Sequence, residues 1–203
     1  MAIEVIEKPD WITWEDIRGC IHKAHANNVS QGIEMKTLQY SAQELEERLA
    51  KYAIKSKVFV ALDGNRLVGI AAVTLEKKHR WCYDGNVAHL HFAAVDPDYR
   101  GMNLYGRLSQ LRYDFAYEND CKAIEFFTAE DNRRVQEINL SQGFQYVDFI
   151  SPSDSQLYYV LMAKIIGDDK PSPWKAALRF FLKKQKIKFL YKPGHVKRLS
   201  FLK

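Results

Sequence analysis

Alternation between strand-like and helix-like hydrophobic periods after residue 57 limits the fold of this chain more than any other feature of its sequence. Two β-rich runs, 58–62 and 67–75, flank a turn that contains Gly64 and predict a hairpin. Further strands are predicted at 86–95, 123–128, 144–149 and 157–163, with helices at 104–115 and 131–142. Because strand–helix–strand units need parallel crossovers whereas hairpins are antiparallel, this order predicts an α/β domain with a mixed sheet.

Two helices are predicted before the hairpin from their N-terminal capping patterns. Thr13 and Asp16 mark the start of the first, whose helical spacing of apolar residues stops before Asn27. Ser41 and Glu44 form a capping box at the start of the second. We therefore expect two amphipathic helices ahead of the first strands.

The composition favours a folded protein that stays in the cytoplasm. The 203 residues are 47% apolar and 27% charged, which excludes a disordered chain. No apolar run approaches the roughly 20 residues of a membrane span, and the N-terminus lacks the pattern of a signal peptide. Cys20, Cys82 and Cys121 lie far apart, so we expect free thiols and no metal site.

The charge divides the chain into two parts. Residues 170–203 carry eleven Lys or Arg and no Asp or Glu, whereas residues 1–169 have a net charge of −6. We accordingly expect a main domain at 1–167 and a basic extension at 168–203. Nucleic-acid binding is disfavoured, because the main domain is acidic and no recognition motif accompanies the basic extension.

The extension has the pattern of an amphipathic basic helix. Its apolar positions recur at helical spacing and are Trp174, Ala177, Leu178, Phe181 and Leu182. The preferred interpretation is that this aromatic face packs onto the domain or onto a second copy of the chain. An anionic membrane surface is the second interpretation, and nucleic acid is the third.

A turn between a strand end and a helix start, residues 95–108, is the first candidate binding site. Backbone N–H groups and the positive end of the helix dipole converge at such a junction, and a glycine lets the main chain close around a phosphate. Arg100 is placed to add a charged contact. Taken alone, the segment also fits a plain strand-to-helix turn.

This segment resembles the coenzyme A loop of the GNAT superfamily of acetyl-CoA-dependent N-acyltransferases, with similarity across about residues 10–164. Val95, Pro97 and Gly101 match the family pattern together with Arg100. Asn103 replaces the first motif glycine and, among non-glycine residues, best tolerates a left-handed backbone. The resemblance implies pyrophosphate contacts from Arg100, Gly101, Met102, Asn103, Leu104, Tyr105 and Gly106, and a backbone site for the thioester oxygen at Ala93, Ala94 and Val95.

A second segment, residues 132–144, resembles the helix that follows in the same family. Asn132, Gly143 and Phe144 are in step with its pattern, and Gly143 also suits a left-handed helix C-cap. The resemblance implies coenzyme contacts by Asn132 and Asn139, although Asn132 equally fits a helix cap. Asn139 replaces the family tyrosine that protonates the departing thiolate.

Two histidines are the candidate catalytic groups. His89 and His91 lie two residues apart on a predicted strand and therefore point to the same face. The resemblance places His89 where family members carry a general base, and the local string is similar to arylalkylamine N-acetyltransferases, in which both histidines help remove the amine proton. The alternatives are that the two histidines are core residues, surface residues or half of a metal site. Residues near the expected acceptor pocket are Glu76, Trp81, Tyr83 and Asp84.

The resemblance implies a GNAT-like α/β fold: a mixed, mostly antiparallel central sheet flanked by helices, here followed by a basic C-terminal helical extension. It implies an enzyme that transfers an acetyl group from acetyl-CoA to a primary amine of a small molecule or peptide, by direct attack in a ternary complex. The alternative is a non-catalytic acyl-CoA sensor whose basic extension contacts a membrane or a protein partner. A homodimer formed through that extension also stays open.

Overall fold

A computed structural model describes residues 3–30, 36–51, 53–150, 158–166 and 172–190. The chain divides into two compact units: residues 1–79 with 85–121, and residues 80–84 with 122–203. No helix in the described ranges is long and apolar enough to cross a membrane. Cys20, Cys82 and Cys121 are free thiols, as predicted.

The first unit contains four strands and three α-helices within the described ranges. They are β1 (Glu4–Glu7), α1 (Trp14–Ser30), α2 (Ala42–Ala50), β2 (Lys55–Asp63), β3 (Arg66–Arg80), β4 (Tyr83–Val95) and α3 (Leu104–Glu118), with the tip between β3 and β4 assigned to the second unit. The strand order is β1-β2-β3-β4, and β1–β2 and β2–β3 are antiparallel. The predicted hairpin is confirmed, with Gly64 supplying a positive φ of 60° at its turn.

Burial of apolar side chains between the helices and the sheet builds the core of this unit. Ile17 and Ile21 of α1 join Leu45 and Leu49 of α2 in one cluster with residues of β2 and β3, including Val60. The predicted caps are present: Thr13 with Asp16, and Ser41 with Glu44, satisfy backbone N–H groups at the two helix starts.

Two local predictions for the first unit were wrong or incomplete. Helix α1 continues through Asn27 to Ser30, because an asparagine inside a helix costs only about 0.7 kcal/mol relative to alanine and does not end it. Strand β1 was not predicted. Its four residues are too few to show a period, and pairing with β2, where Val5 lies opposite Ala61, makes them a strand.

The second unit contains three strands and two α-helices within the described ranges. They are β5 (Ala123–Ala129), α4 (Arg133–Ser141), β6 (Gln145–Ile150), β7 (Tyr159–Ile165) and α5 (Pro173–Leu190). The strand order is β5-β7-β6 with both pairings antiparallel, so the last strand inserts between the two that precede it. Gly143 adopts the predicted left-handed conformation, with φ at 87°, directly after α4.

Helix α5 packs through a face other than the predicted one. Ala176 is 1% exposed, and the Phe180 ring stacks on Tyr146 with centroids 4.6 Å apart. Lys183 pairs with Asp148 of β6, which fixes the same side of the helix. We call the opposite, exposed side the outer face of α5; it consists of Trp174, Ala177, Leu178, Phe181 and Leu182.

The prediction that this aromatic face packs onto the domain was therefore wrong. Trp174 is 63% exposed and Phe181 is 54% exposed. The physical reason is that α5 carries apolar residues on two sides, since Ala176, Phe180 and Ile187 also recur at helical spacing. The shorter inner stripe has aromatic partners on β6, and that contact decides the orientation.

The fold class is confirmed: a mixed α/β fold, mostly antiparallel in its strands, with flanking helices and a C-terminal helix. The predicted boundary between residues 167 and 168 lies outside the described residues, as do residues 191–203 of the predicted extension. The division into a main domain and an extension stays a prediction.

Candidate active site

Four polar side chains meet in the first unit on the facing strands β3 and β4. We call Thr74 and Glu76 of β3, with His89 and His91 of β4, the histidine cluster. The two imidazole centroids are 4.8 Å apart, which confirms that both rings project from one face of the strand. Thr74 is 1% exposed, and Glu76 and His89 are also buried, so the cluster lies largely out of water.

A chain of hydrogen bonds fixes which nitrogen of His91 carries its proton. The Thr74 hydroxyl donates to Glu76 Oε1 at 2.8 Å and also lies 2.8 Å from His91 Nε2. A hydroxyl has one hydrogen, so Thr74 must accept from His91 when it donates to the carboxylate. His91 is thus held as the Nε2–H tautomer, and its Nδ1 lone pair is available to accept a proton.

Two cations border the histidine cluster. Lys78 pairs with Glu76, Nζ to Oε2, at 2.5 Å. Arg112 of α3 is 2% exposed, and its guanidinium donates to Ser109 Oγ at 2.8 Å and to the His91 carbonyl oxygen at 3.5 Å. Lys78 holds Glu76 in place, Arg112 holds the backbone of His91, and both cations oppose a positive charge on the His91 ring.

His91 is kept neutral by its surroundings. Burial, with smaller contributions in the same direction from the nearby His89, Arg112 and Lys78, lowers the pKa of His91 to about 3. An imidazole with so low a pKa is neutral near pH 7, with one N–H group and one nitrogen that keeps its lone pair. Its lone pair therefore stays available, but a lasting positive charge on this ring is unfavourable.

Sequence reasoning missed Thr74 and Arg112, although both left a signal. Thr74, Glu76 and Lys78 stand at alternate positions of β3 directly after the apolar run 67–73, which is the spacing of a single strand face. Arg112 falls four residues after the buried Leu108, where the helical period calls for an apolar side chain. Polar residues at core positions of this kind are candidates for a site.

The predicted anion-binding turn has the backbone that its sequence suggested. Gly101 has a φ of 86° and Asn103 a φ of 54°, so both adopt the left-handed conformation. Asn103 is the N-cap of α3 but makes no side-chain capping hydrogen bond. The first N–H groups of α3 have no partner within the helix and remain available to an anion.

Gly106 lies directly beneath the side chain of Asn103. A Cβ at Gly106 would lie 2.2 Å from the Asn103 side-chain oxygen, so a side chain there would displace the asparagine. Tyr105 is exposed, and its ring centroid lies 5.9 Å from the Arg112 guanidinium carbon. The loop therefore uses Asn103 and Gly106 together where the family pattern has small residues.

The remaining loop positions are placed as follows. Ala93, Ala94 and Val95 end β4; Arg100, Gly101, Met102 and Asn103 lie between β4 and α3; and Leu104, Tyr105 and Gly106 form the first turn of α3. The Arg100 guanidinium donates to the Ala24 carbonyl oxygen of α1 at 2.8 Å. That bond gives Arg100 a structural role, and its expected phosphate contact stays a prediction.

Asp96 anchors the turn that follows β4. Its carboxylate accepts hydrogen bonds from Lys23 at 2.7 Å, from Arg66 at 3.0 Å and from the Asp98 backbone N–H at 3.1 Å. Burial raises the pKa of Asp96, but the hydrogen bonds from Lys23 and Asp98 outweigh it and lower the pKa below its usual value. The turn is thereby fixed at its first residue.

In the second unit, the two predicted asparagines have structural partners. Asn132 caps α4, with its Oδ1 accepting from the Val135 N–H at 3.4 Å. Asn139 is buried and donates to the Val135 carbonyl oxygen at 2.8 Å. Their contacts with coenzyme A stay predictions.

Two of the residues expected near the acceptor pocket are also bonded within the second unit. Trp81 Nε1 donates to the Val147 carbonyl oxygen at 3.1 Å, and the Tyr83 hydroxyl donates to the buried Glu125. Glu125 also accepts from Arg80 at 3.2 Å. In the described ranges, no three His, Cys, Asp or Glu side chains gather as metal ligands.

Comparison with known proteins identifies the class. The sequence model of the acetyltransferase (GNAT) family matches residues 30–144, which is more than half of the chain. The chain therefore belongs to the GNAT acetyltransferase family. No curated protein sequence matches it significantly.

Solved structures share the fold at low sequence identity. An acetyltransferase from Streptococcus agalactiae is 20% identical with a TM-score of 0.58, and the match covers 81% of this chain and 98% of that one. The ribosomal-protein-S18-alanine N-acetyltransferase from Escherichia coli is 14% identical with a TM-score of 0.59, covering 84% and 99%. The PaiA N-acetyltransferase from Thermoplasma acidophilum, in complex with coenzyme A, is 12% identical with a TM-score of 0.57, covering 82% and 100%.

Proposed function

We propose that this protein transfers an acetyl group from acetyl-CoA to a primary amine by direct attack in a ternary complex. The observation that carries the proposal is the histidine cluster, in which a neutral His91 of fixed tautomer lies 4.8 Å, ring to ring, from His89. Family membership supports the acetyl donor. The acceptor is proposed only as the class of primary amines, in a small molecule or a peptide.

The turn before α3 fits the diphosphate of coenzyme A. Gly101 and Asn103 are left-handed, and Asn103 makes no side-chain capping bond, so the first N–H groups of α3 have no partner within the helix or from its N-cap side chain. We assign the diphosphate to the backbone of residues 101–106, and the developing negative charge of the thioester oxygen to a backbone N–H among residues 93–95. When bound, acetyl-CoA supplies the acetyl group as an activated thioester.

His89 is the proposed general base. An amine is protonated near neutral pH and must lose a proton before it attacks, and the imidazole side chain is the commonest general base for such a proton transfer. His91 does not hold the proton at rest, because its pKa is about 3. His91 instead passes the proton through its Nδ1 lone pair and water, so the imidazole pair carries one positive charge at most.

Thr74 and Glu76 are positioning residues in this proposal. They act on the amine proton only through His91, whose ring they hold in one tautomer. Asn139 stands where the family has a tyrosine, and a side-chain amide has no acidic proton to give. Solvent therefore supplies the proton for the departing thiolate.

The first experiment measures thiol release from acetyl-CoA against a panel of primary amines. His89→Ala should lower kcat by about a hundredfold or more, the usual contribution of a general base, while the affinity for acetyl-CoA changes less than about twofold. Equal turnover by the variant would remove the role of His89. Acetyl-CoA binding without transfer to any amine would instead favour the acyl-CoA sensor.

A second variant tests the positioning chain. Thr74→Val should lower kcat by about tenfold, because it leaves buried polar groups without their partner. It should also move the acidic limb of the kcat profile to lower pH, since Glu76 no longer stabilises a proton that the imidazole pair receives. Thr74→Ser keeps the hydroxyl and should restore both. A Thr74→Val profile of unchanged shape would show a role in packing alone.

A further inference from the structure

The outer face of α5 presents large apolar side chains to solvent on a helix that is otherwise firmly attached. Trp174, Leu178, Phe181 and Leu182 are all exposed. Exposed large apolar residues that line up on one helix face mark an interaction surface, whereas isolated ones do not. The proposed acetyl transfer makes no use of this surface.

Basic side chains flank the outer face on both sides. At 100° per residue, Lys175, Arg179 and Lys186 lie along one edge of the apolar stripe and Lys184 lies along the other, while Lys188 falls between the angular positions of Ala177 and Phe181. α5 has no acidic residue, and the sequence from 170 to 203 adds none. The face therefore combines an apolar centre with positive edges.

The side of α5 that carries Ala176, Phe180 and Ile187, its inner face, holds the helix in this orientation. Phe180 stacks on Tyr146, and its ring lies edge-on to Phe149 with centroids 5.8 Å apart. Glu130 accepts from both Lys184 at 2.6 Å and Lys188 at 2.9 Å. Because the helix is already fixed, its outer face can bind a partner without a further loss of helix conformational entropy.

A second copy of the chain is a poor match for this surface. If two copies met through their outer faces, the basic edges of one helix would lie against the basic edges of the other. Cations placed opposite cations oppose association. Lys175 and Lys186 have exposed side chains, and they would face their like in such a dimer.

We propose that the outer face of α5 docks on the surface of an anionic phospholipid bilayer. Trp174, Leu178 and Phe181 enter the boundary between headgroups and acyl chains, and the exposed Lys175 and Lys186 contact lipid phosphates. The long lysine side chains allow their charges to stay at headgroup level while their stems follow the apolar stripe.

The helix lies along the bilayer and does not cross it. Its 18 residues include six lysine or arginine side chains, which the hydrocarbon core would not accept. The inner face, with Ala176 and Phe180 against β6, stays covered by protein. Docking therefore requires no unfolding of the second unit.

The test is co-sedimentation of the full chain with vesicles, without acetyl-CoA, so that its result is independent of the proposed transfer reaction. Vesicles of phosphatidylcholine with about one third phosphatidylglycerol should bind the protein, and the affinity should fall as added salt shortens the Debye length from about 10 Å to about 3 Å. Vesicles of phosphatidylcholine alone should bind it at least about tenfold more weakly. Acyl chains carrying bromine should quench tryptophan fluorescence, and Trp174→Phe should abolish that quenching.

Matched double variants separate the outer face from general surface effects. Leu178→Ser with Phe181→Ser should weaken vesicle binding by at least about tenfold, since two apolar anchors are lost. The control is Ile138→Ser with Leu140→Ser, two exposed apolar residues of α4, which should bind within about twofold of the parent protein. Thermal unfolding must be equal in all three proteins.

A charge pair completes the design. Lys175→Glu with Lys186→Glu should weaken binding and reduce its salt dependence, whereas Lys77→Glu with Lys122→Glu, also exposed, should not. Equal binding by both serine variants, or equal binding to neutral vesicles, would overturn the proposal. Self-association that is lost in the outer-face variant, without vesicle binding by the parent protein, would overturn it in favour of a protein interface.

Discussion

The histidine cluster and the outer face of α5 differ in which kind of side chain is buried. In the cluster, Thr74 and Glu76 are polar yet buried, and each has a hydrogen-bonding partner at 2.8 Å. On α5, Trp174 and Phe181 are apolar yet more than half exposed. Both regions depart from the usual rule that apolar groups go inside and polar groups go outside.

This contrast teaches where to look for function in a small α/β protein. A buried polar group is tolerated when partners replace its water, as His91 and Glu76 do for Thr74. An exposed apolar group has no such compensation within the chain, so its partner is sought outside. The cluster therefore points to chemistry inside the chain, and α5 points to association.

The largest expected effect comes from placing the same charged residue on the covered side and on the exposed side of α5. Ala176→Asp places a carboxylate at a position that is 1% exposed and should lower the free energy of unfolding by about 3 kcal/mol or more. Ala177→Asp, one residue further on the outer face, should change it by less than about 0.5 kcal/mol. Urea unfolding followed by circular dichroism measures both.

Vesicle binding should respond to the exposed position, although protein stability does not. Ala177→Asp adds a negative charge beside the bilayer and should weaken binding to anionic vesicles, although the protein stays folded. Equal destabilisation by the two variants would contradict the assignment of inner and outer sides.

The next effect concerns His91 in the histidine cluster, whose titration makes the free energy of unfolding depend on pH. The pKa of His91 is about 3 in the folded protein against about 6.5 in an unfolded chain. Between these values the unfolded chain binds more protons, so the free energy of unfolding falls as pH falls, by at most about 1.4 kcal/mol per pH unit for this group. Its stabilising contribution is complete above pH 6.5 and is lost toward pH 3.

Replacing the His91 ring shows how much of the pH dependence of the unfolding free energy comes from this residue. His91→Gln should give a shallower fall in unfolding free energy between about pH 6.5 and pH 4 than the parent protein, because glutamine does not titrate. Unfolding in urea at several pH values measures the difference. Parallel curves for the two proteins would mean that His91 is not kept neutral by the fold.

The smallest effect is expected at Asn103, where the backbone conformation, and not burial, limits which residues fit. Asn103 has a φ of 54°, and Asn103→Ala should cost about 1 kcal/mol because alanine is strained in the left-handed region. Asn103→Gly should be neutral or stabilising and should keep coenzyme A affinity. If alanine and glycine gave equal unfolding free energies, the left-handed turn before α3 would be in doubt.

Much of the local structure follows from short sequence patterns. The capping box at Ser41, the hairpin turn at Gly64 and the left-handed positions at Asn103 and Gly143 were all predicted and are all present. Each depends on the conformational preference of one or two residues and their immediate neighbours. Such preferences operate within a few residues of the chain and can be read without the fold.

Other features could not be read in this way. Strand β1 exists only because β2 offers it a partner, and the insertion of β7 between β5 and β6 is a matter of strand pairing over distance. The partners of His91 come from β3 and α3, so spacing along β4 gave the two histidines but not Thr74 or Arg112.

The sequence by itself determined the alternation of elements, the caps and turns, the shared face of His89 and His91, and the family pattern of the loop at residues 95–106. Tertiary structure alone decided which of the two apolar stripes of α5 is covered, and which hydroxyl and carboxylate hold His91. The reason is that short-range preferences fix a backbone locally. Burial and hydrogen-bond partnership, in contrast, depend on residues that only folding brings together.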